Sequence, residues 1–303
     1  GGINRVILAT DGDFNVGTVN QQALKNLIEQ KRKSGIALSV LGFGMGNYND
    51  ALMQQLAQNG NGNAYYIDTL NEARKVLVEE LSATLMTIAK DVKIQLEFNP
   101  KVISEYRLIG YETRALNRED FNNDKVDAGE IGAGHTVTAL YEVSFVDSKN
   151  KLIDDLRYQD TNKQNNQYIN KDKNSELAYL RLRYKLPEQD KSQLIETPIL
   201  RGSTKPNLAA SSNTFRFSAA VAGFGQLLRG GKNLTTMTIE QVINLAQQAK
   251  GADKYGYRAE FINIVKLSDA LAVNNLIKKP SKNIALTEFK TNLLKTDLLK
   301  EIR

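Results

Sequence analysis

The chain has 303 residues, 41% of them apolar and 24% charged, proportions ordinary for a soluble globular protein long enough to hold two or three domains. It has no cysteine and one histidine, which excludes disulfides, thiolate nucleophiles, thiolate metal sites and multi-histidine zinc centres. No apolar run approaches the roughly 18–20 residues of a membrane-spanning helix, and the net charge of +6 arises in the last third, where residues 206–303 carry 14 basic against 7 acidic groups.

The first element in chain order is the apolar run Arg5-Val6-Ile7-Leu8-Ala9, which closes on Thr10-Asp11-Gly12-Asp13. A short run with β-branched residues that ends in Asp-Gly predicts a strand buried on both faces. Its carboxyl end then lies on the edge where open α/β sheets place their ligands. A helix is predicted over Val19–Ser34, a parallel strand over Ala37–Gly42, a helix over Asn49–Gln58, a short strand over Ala64–Ile67 and a helix from Thr69 to about Thr87. This part of the chain therefore reads as α/β with a parallel sheet.

From Asp91 the texture changes. Polar and apolar residues alternate in Val92–Phe98, Val137–Phe145 and Leu177–Tyr184, the period-two pattern of half-buried antiparallel strands. A β-sandwich of about six to eight strands over residues 88–202 follows, with Asp160–Asn174 as a long exposed loop in it. The helical period returns at Ser211. Phe215, Phe217, Ala220, Val221, Phe224, Leu227 and Leu228 mark one helix, ended by Gly230-Gly231; Glu240–Ala249 make a second and Tyr257–Leu271 a third. Thr238-Ile239-Glu240-Gln241 has the form of a capping box. The pattern leaves open whether these helices pack on the sandwich or on the parallel sheet.

Lys278, Lys279, Lys282, Lys290, Lys295, Lys300 and Arg303 make the tail around and after Pro280 a candidate basic helix. An acidic partner, anionic lipid or nucleic acid is one reading. A solvated face is the preferred one, because the lysines are dispersed and lack the interleaved aromatics on which bases stack. No specific nucleic-acid binding is expected.

Three other features invite a site. Gly42-Phe43-Gly44-Met45-Gly46 follows a strand, but Asn47 stands where a dinucleotide fingerprint needs glycine, and Asp68 matches the acidic ribose ligand only loosely. Asp120, Asn122, Asp124, Asp127 and Glu130 offer oxygens in the manner of a calcium loop. Lys125 occupies its glycine position and Ile131 its bidentate glutamate, so a polar turn with aspartates capping backbone amides is expected instead. His135, at a turn before a strand, has no identifiable nucleophile to serve and no Gly-x-Ser-x-Gly elbow elsewhere, so a structural role is expected.

The Thr10-Asp11-Gly12 turn and the elements after it resemble the second half of a von Willebrand factor A domain, whose fourth strand ends in Thr-Asp-Gly. Ala89–Val92, Glu97–Pro100, Tyr106–Glu112, Asp120–Gly129 and Gly256–Phe261 are similar to bacterial YfbK-like proteins, over nearly the whole chain from Gly2 to about Leu271. The resemblance implies an A-like α/β half over residues 1–87, a sandwich-like domain over 88–205 and a helical region over 206–303. It implies Asp11 as a Mg2+ ligand, directly or through water, with Thr10 beside it in an incomplete site. Thr10 and Gly12 shape the turn, and Asp13 adds negative potential on the same rim. The partner motif Asp-x-Ser-x-Ser occurs nowhere in the chain, so the resemblance further implies a C-terminal fragment of a longer protein. The alternative to a metal ligand is that Asp11 caps the following segment.

The function implied is a non-enzymatic adhesion or scaffold module of the cell envelope or periplasm. The intact protein would bind a partner's carboxylate through Mg2+, while no tight metal binding is expected of this chain. An enzyme with its site in the β-rich or helical part is the alternative. If residues 1–86 form half of an A sheet, the strand at Ile3–Ala9 exposes an apolar face and a free edge. The chain then either aggregates or borrows packing from its own C-terminal helices.

Overall fold

The computed structural model describes residues 4–11, 20–44, 48–80, 85–111, 115–126, 128–148, 151–153, 175–231 and 237–272. Gly12, Asp13, Met45, Gly46, Asn47, Asp127, the segment Asp160–Asn174 and the tail beyond Pro280 lie outside them. The chain divides into two compact units, Gly1–Gln95 with Leu116–Val137 and Leu180–Glu196, and Leu96–Ala115 with Thr138–Tyr179 and Thr197–Arg303.

The first unit begins with a three-stranded parallel sheet of β1 (Asn4–Thr10), β2 (Ile36–Phe43) and β3 (Ala64–Ile67), in that order. Its register sets Thr10 beside Gly42, and Gly42 beside Tyr66. Helix α1 (Gln21–Lys33) connects the first pair and α2 (Asp50–Asn59) the second. α1 starts two residues after the predicted Val19 because Asn20 caps it, its Oδ1 accepting from the amides of Gln22 at 2.9 Å and Ala23 at 3.2 Å. It ends on Lys31-Arg32-Lys33, whose charges suit the negative end of the helix dipole.

Both faces of β2 are covered. On one, Val40 packs with Ile28 of α1 and with Leu52, Met53, Leu56 and Ala57 of α2. On the other, Leu41 packs with Ile67 and Val76. Val76 belongs to a single π-helical turn, Lys75–Glu79, that continues the short helix α3 (Leu70–Arg74). The helix expected from Thr69 to about Thr87 is thus interrupted by the π turn, residues 81–84 lie outside the described ones, and Thr87 opens a strand. Its pairing with Gly132 overrides local helical preference. The expectation that β1 is buried on both faces is corrected: none of its residues is buried, and Val6 and Ile7 are exposed, because among the described strands β1 is the edge of the sheet and pairs only with β2.

The strands that follow are β4 (Thr87–Phe98), β5 (Ile103–Ile109), β6 (Gly129–Gly132), β7 (Leu140–Phe145), β8 (Glu176–Lys185) and β9 (Gln193–Leu200). They form a four-stranded sheet, β6-β4-β8-β9, and a two-stranded antiparallel ribbon, β5-β7. β4, β8 and β9 each contribute residues to both units. The β4–β6 register shifts twice, between Thr87 and Ala89 and between Ala89 and Val92, and Asp91 within that irregularity has φ +53°. The kink breaks the simple alternation. Lys93 points inward at 3% exposure, while Ile94 is 45% exposed.

In the second unit Phe98, Val102, Ile103, Val143, Leu177 and Ala178 form one core. Three helices, α4 (Asn213–Leu228), α5 (Ile239–Ala249) and α6 (Tyr257–Ala272), form another around Ala220, Phe224, Val242, Ala246, Ile262 and Val265. The predicted capping box is present: Thr238 Oγ1 accepts from the Gln241 amide at 3.2 Å and Gln241 Oε1 from the Thr238 amide at 2.9 Å. Arg107 of β5 donates to Gln226 Oε1 of α4 at 3.3 Å, which ties the helices to the ribbon. The fold is thus α/β with a parallel sheet, then antiparallel sheets, then C-terminal helices.

Candidate functional site at the carboxyl edge of the parallel sheet

Thr10 is the last residue of β1 and Asp11 follows it directly, so both stand where the three parallel strands end. Thr10 is half-buried and Asp11 exposed. The turn after β2 passes close by: a Cβ built on Gly44, which has φ +88°, would lie 4.0 Å from the Asp11 Cβ. Tyr66 of β3 fixes that turn by donating its hydroxyl to the Gly44 carbonyl at 2.6 Å.

Tyr48 closes the rim from the α2 side. Its ring fills the place of a side chain at Gly42, so any Cβ there would overlap the ring carbons and hydroxyl. It packs on Tyr66 with centroids 4.8 Å apart. The Tyr48 hydroxyl is buried without a hydrogen-bond partner among the described residues. Burial holds its proton more tightly than usual, and the nearby Asp50 and Tyr66 charges add to this. Sequence reasoning singled out Thr10 and Asp11 but passed over Tyr48 and Tyr66. The one available signal was Gly42 itself, a glycine inside an apolar strand, which marks the close approach of another group.

A hydroxyl and a carboxylate are both hard oxygen donors, so their chemistry fits Mg2+. Two side chains leave most of an octahedral shell to other groups. Among the described residues no three acidic or histidine side chains are gathered to hold a metal.

The other sequence candidates fall elsewhere. The acidic stretch folds as a polar turn built on a 3-10 helix, Arg118–Asn122. Among the described residues each candidate has an oxygen already engaged: Asp120 Oδ2 accepts from Asn117 at 3.2 Å, Asn122 Oδ1 from Arg183 at 3.0 Å, Asp124 Oδ2 from the Ser192 amide at 3.4 Å and Glu130 Oε1 from Asn61 at 2.8 Å. The main-chain amide of His135 closes a turn onto the Gly132 carbonyl at 3.0 Å.

The molecule thus belongs to a class in which a parallel α/β sheet precedes antiparallel strands and a helical end. Residues 83–271 match the model of the family described as "Uncharacterized protein YfbK, C-terminal", and the chain belongs to that family. It is 49% identical over 271 residues to the Uncharacterized protein YfbK of Escherichia coli K12, covering 89% of this chain and 45% of that protein, so it spans less than half of that relative's length. Among solved structures it is similar to a von Willebrand factor type A protein from Catenulispora acidiphila, at 13% identity and TM-score 0.35, over 84% of this chain and 57% of that one. It is also similar to the human COPII-coat protein Sec24c, at 12% identity and TM-score 0.32, over 80% of this chain and 32% of that one.

Proposed function

We propose that this chain is part of a non-enzymatic protein-interaction module of the von Willebrand A type, acting as an adhesion or scaffold element at the cell envelope or in the periplasm. One observation carries the reading: a parallel strand ends in Thr10 and an exposed Asp11 at the carboxyl edge of the sheet, beside the Gly44 turn. In longer members of the family, residues upstream of this segment complete a Mg2+ shell that Asp11 and Thr10 share. A partner's carboxylate then takes the remaining coordination position. The lack of cysteine and the single histidine rule out thiol–histidine pairs and multi-histidine zinc centres in this chain, which supports interaction over catalysis.

Isothermal titration of Mg2+ and Mn2+ tests this reading. The titration is made into the 303-residue chain and into a fusion that restores the upstream residues of the E. coli relative, each with and without Asp11→Ala. Binding confined to the fusion and abolished by Asp11→Ala is the expected result. Silence in both forms, or binding that survives the substitution, retires the metal-dependent reading.

A further inference from the structure

A second surface, in the other unit, is built from tyrosines. On the ribbon, Tyr106 stands opposite Val143 and Leu108 opposite Tyr141, so these four share one face, while Arg107 and Glu142 form an ion pair on the other. Phe98, at the end of β4, lies buried against this face. The Tyr106 ring stacks on it, with centroids 4.4 Å apart and planes at 29°, and Tyr141 meets it edge-on at 5.5 Å and 64°. Tyr106 is nonetheless 61% exposed. Its ring is held on one side by packing and presents the rest of its surface to solvent.

Tyr111 extends the patch. It has φ +63°, a left-handed conformation that is uncommon for a bulky residue. Its hydroxyl donates to the Thr138 carbonyl at 3.0 Å, which fixes the ring in place. Burial raises the proton affinity of Tyr141, and Tyr106 and Tyr111 raise it further, so both lie within electrostatic reach of Tyr141.

We propose that Tyr106, Tyr111 and Tyr141 form a docking site for a proline-rich segment of a partner protein in the polyproline II conformation. Rigid aromatic rings that already stand in place receive such a segment at little entropic cost, because polyproline II is itself preordered. Its carbonyls have no internal partners and accept from the hydroxyls of Tyr106 and Tyr141, while Tyr111, whose proton is held by Thr138, offers its ring. The ionised side chains of the ribbon are Glu105, Arg107 and Glu142, at register positions other than those of Tyr106 and Leu108; Arg107 pairs with Glu142 and Glu105 accepts from the amides of Leu152 and Ile153, so the ribbon's charges are satisfied away from Tyr106 and the patch complements an uncharged ligand. A saccharide is the competing occupant. Its vicinal hydroxyls call for planar carboxylate, amide or guanidinium partners, and the ribbon face that carries Tyr106 offers phenols and aliphatic groups instead.

Fluorescence anisotropy of an end-capped, fluorescein-labelled decaproline against the whole chain tests the site, with maltoheptaose as a second probe. Saturable decaproline binding is expected, weakened by Tyr106→Ala roughly tenfold or more, about 1.4 kcal/mol. Tyr106→Phe, which keeps the ring, loses less. Tyr141→Phe preserves the packing, removes one donor and weakens binding several-fold, so the site stays testable if Tyr106→Ala disturbs the fold. The proposal is overturned by decaproline that fails to saturate at millimolar concentration, by binding that all three substitutions leave unchanged, or by saturable maltoheptaose binding without decaproline binding.

Discussion

Lys93 and Lys185 grip one loop by its carbonyls. Lys93 Nζ donates to the main-chain oxygens of Asp120 and Asn123, and Lys185 Nζ donates to that of Asp124 at 2.8 Å and to Asp91 Oδ2 at 2.7 Å. Both lysines are buried. The polar turn after the 3-10 helix is thus held from inside the sheet.

Lys93→Ala takes one of two donors from each of the carbonyls of Asp120 and Asn123, which keep the amides of Asn123 and Val126, and opens a cavity where the buried lysine stem packed. A loss of about 2–4 kcal/mol is expected, read as a lowered urea midpoint with unchanged slope.

Lys185 is pushed above its ordinary 10.5, first by its hydrogen bond to Asp91, against the opposing effect of burial. A base whose folded value is raised contributes stability that is complete below 10.5 and lost as pH rises through the folded value. The stability deficit of Lys185→Met is therefore expected to be constant from pH 7 to 9 and to shrink above pH 10.5. Urea titrations across that range check the direction.

Glu105 behaves in the opposite sense. Burial alone would raise it, but the amides of Leu152 at 3.1 Å and Ile153 at 2.8 Å, with the Ser144 hydroxyl, outweigh that and hold the carboxyl below its ordinary 4.5. Its contribution is present above 4.5 and lost as pH falls through the lower folded value. Glu105→Gln is expected to lower the melting temperature at pH 7, and the difference from the parent chain is expected to narrow as pH falls below 4.5.

Gly62 lies against the main chain of Leu38, where a Cβ would overlap the carbonyl oxygen and lie 2.5 Å from its carbon. Backbone cannot swing aside as a side chain can. Gly62→Ala is expected to cost about 1–3 kcal/mol, measured by thermal unfolding followed by circular dichroism.

Thr238→Ala removes one half of the capping box at the start of α5 and leaves the Gln241 amide without its acceptor. About 1 kcal/mol is expected, and Thr238→Ser restores most of it.

Local chemistry wrote much of this fold into the sequence. The apolar run of β2 between two capped helices, the Thr238–Gln241 box and the alternation of β8 each depend on neighbours a few residues away, and each stands where the pattern placed it. Thr10 and Asp11 were legible for the same reason, as the polar end of an apolar strand. Only the tertiary structure decided what reaches across the chain. Lys93 reads as the outward residue of an alternating strand until the register shift at Asp91 turns it inward. Tyr48 becomes a rim residue because Gly42 makes room for its ring, and Tyr106 becomes a platform because Phe98 lies beneath it. Periodicity reports which face of an element is apolar. The partner that meets that face is set by register and packing between residues far apart in sequence, which no local pattern records.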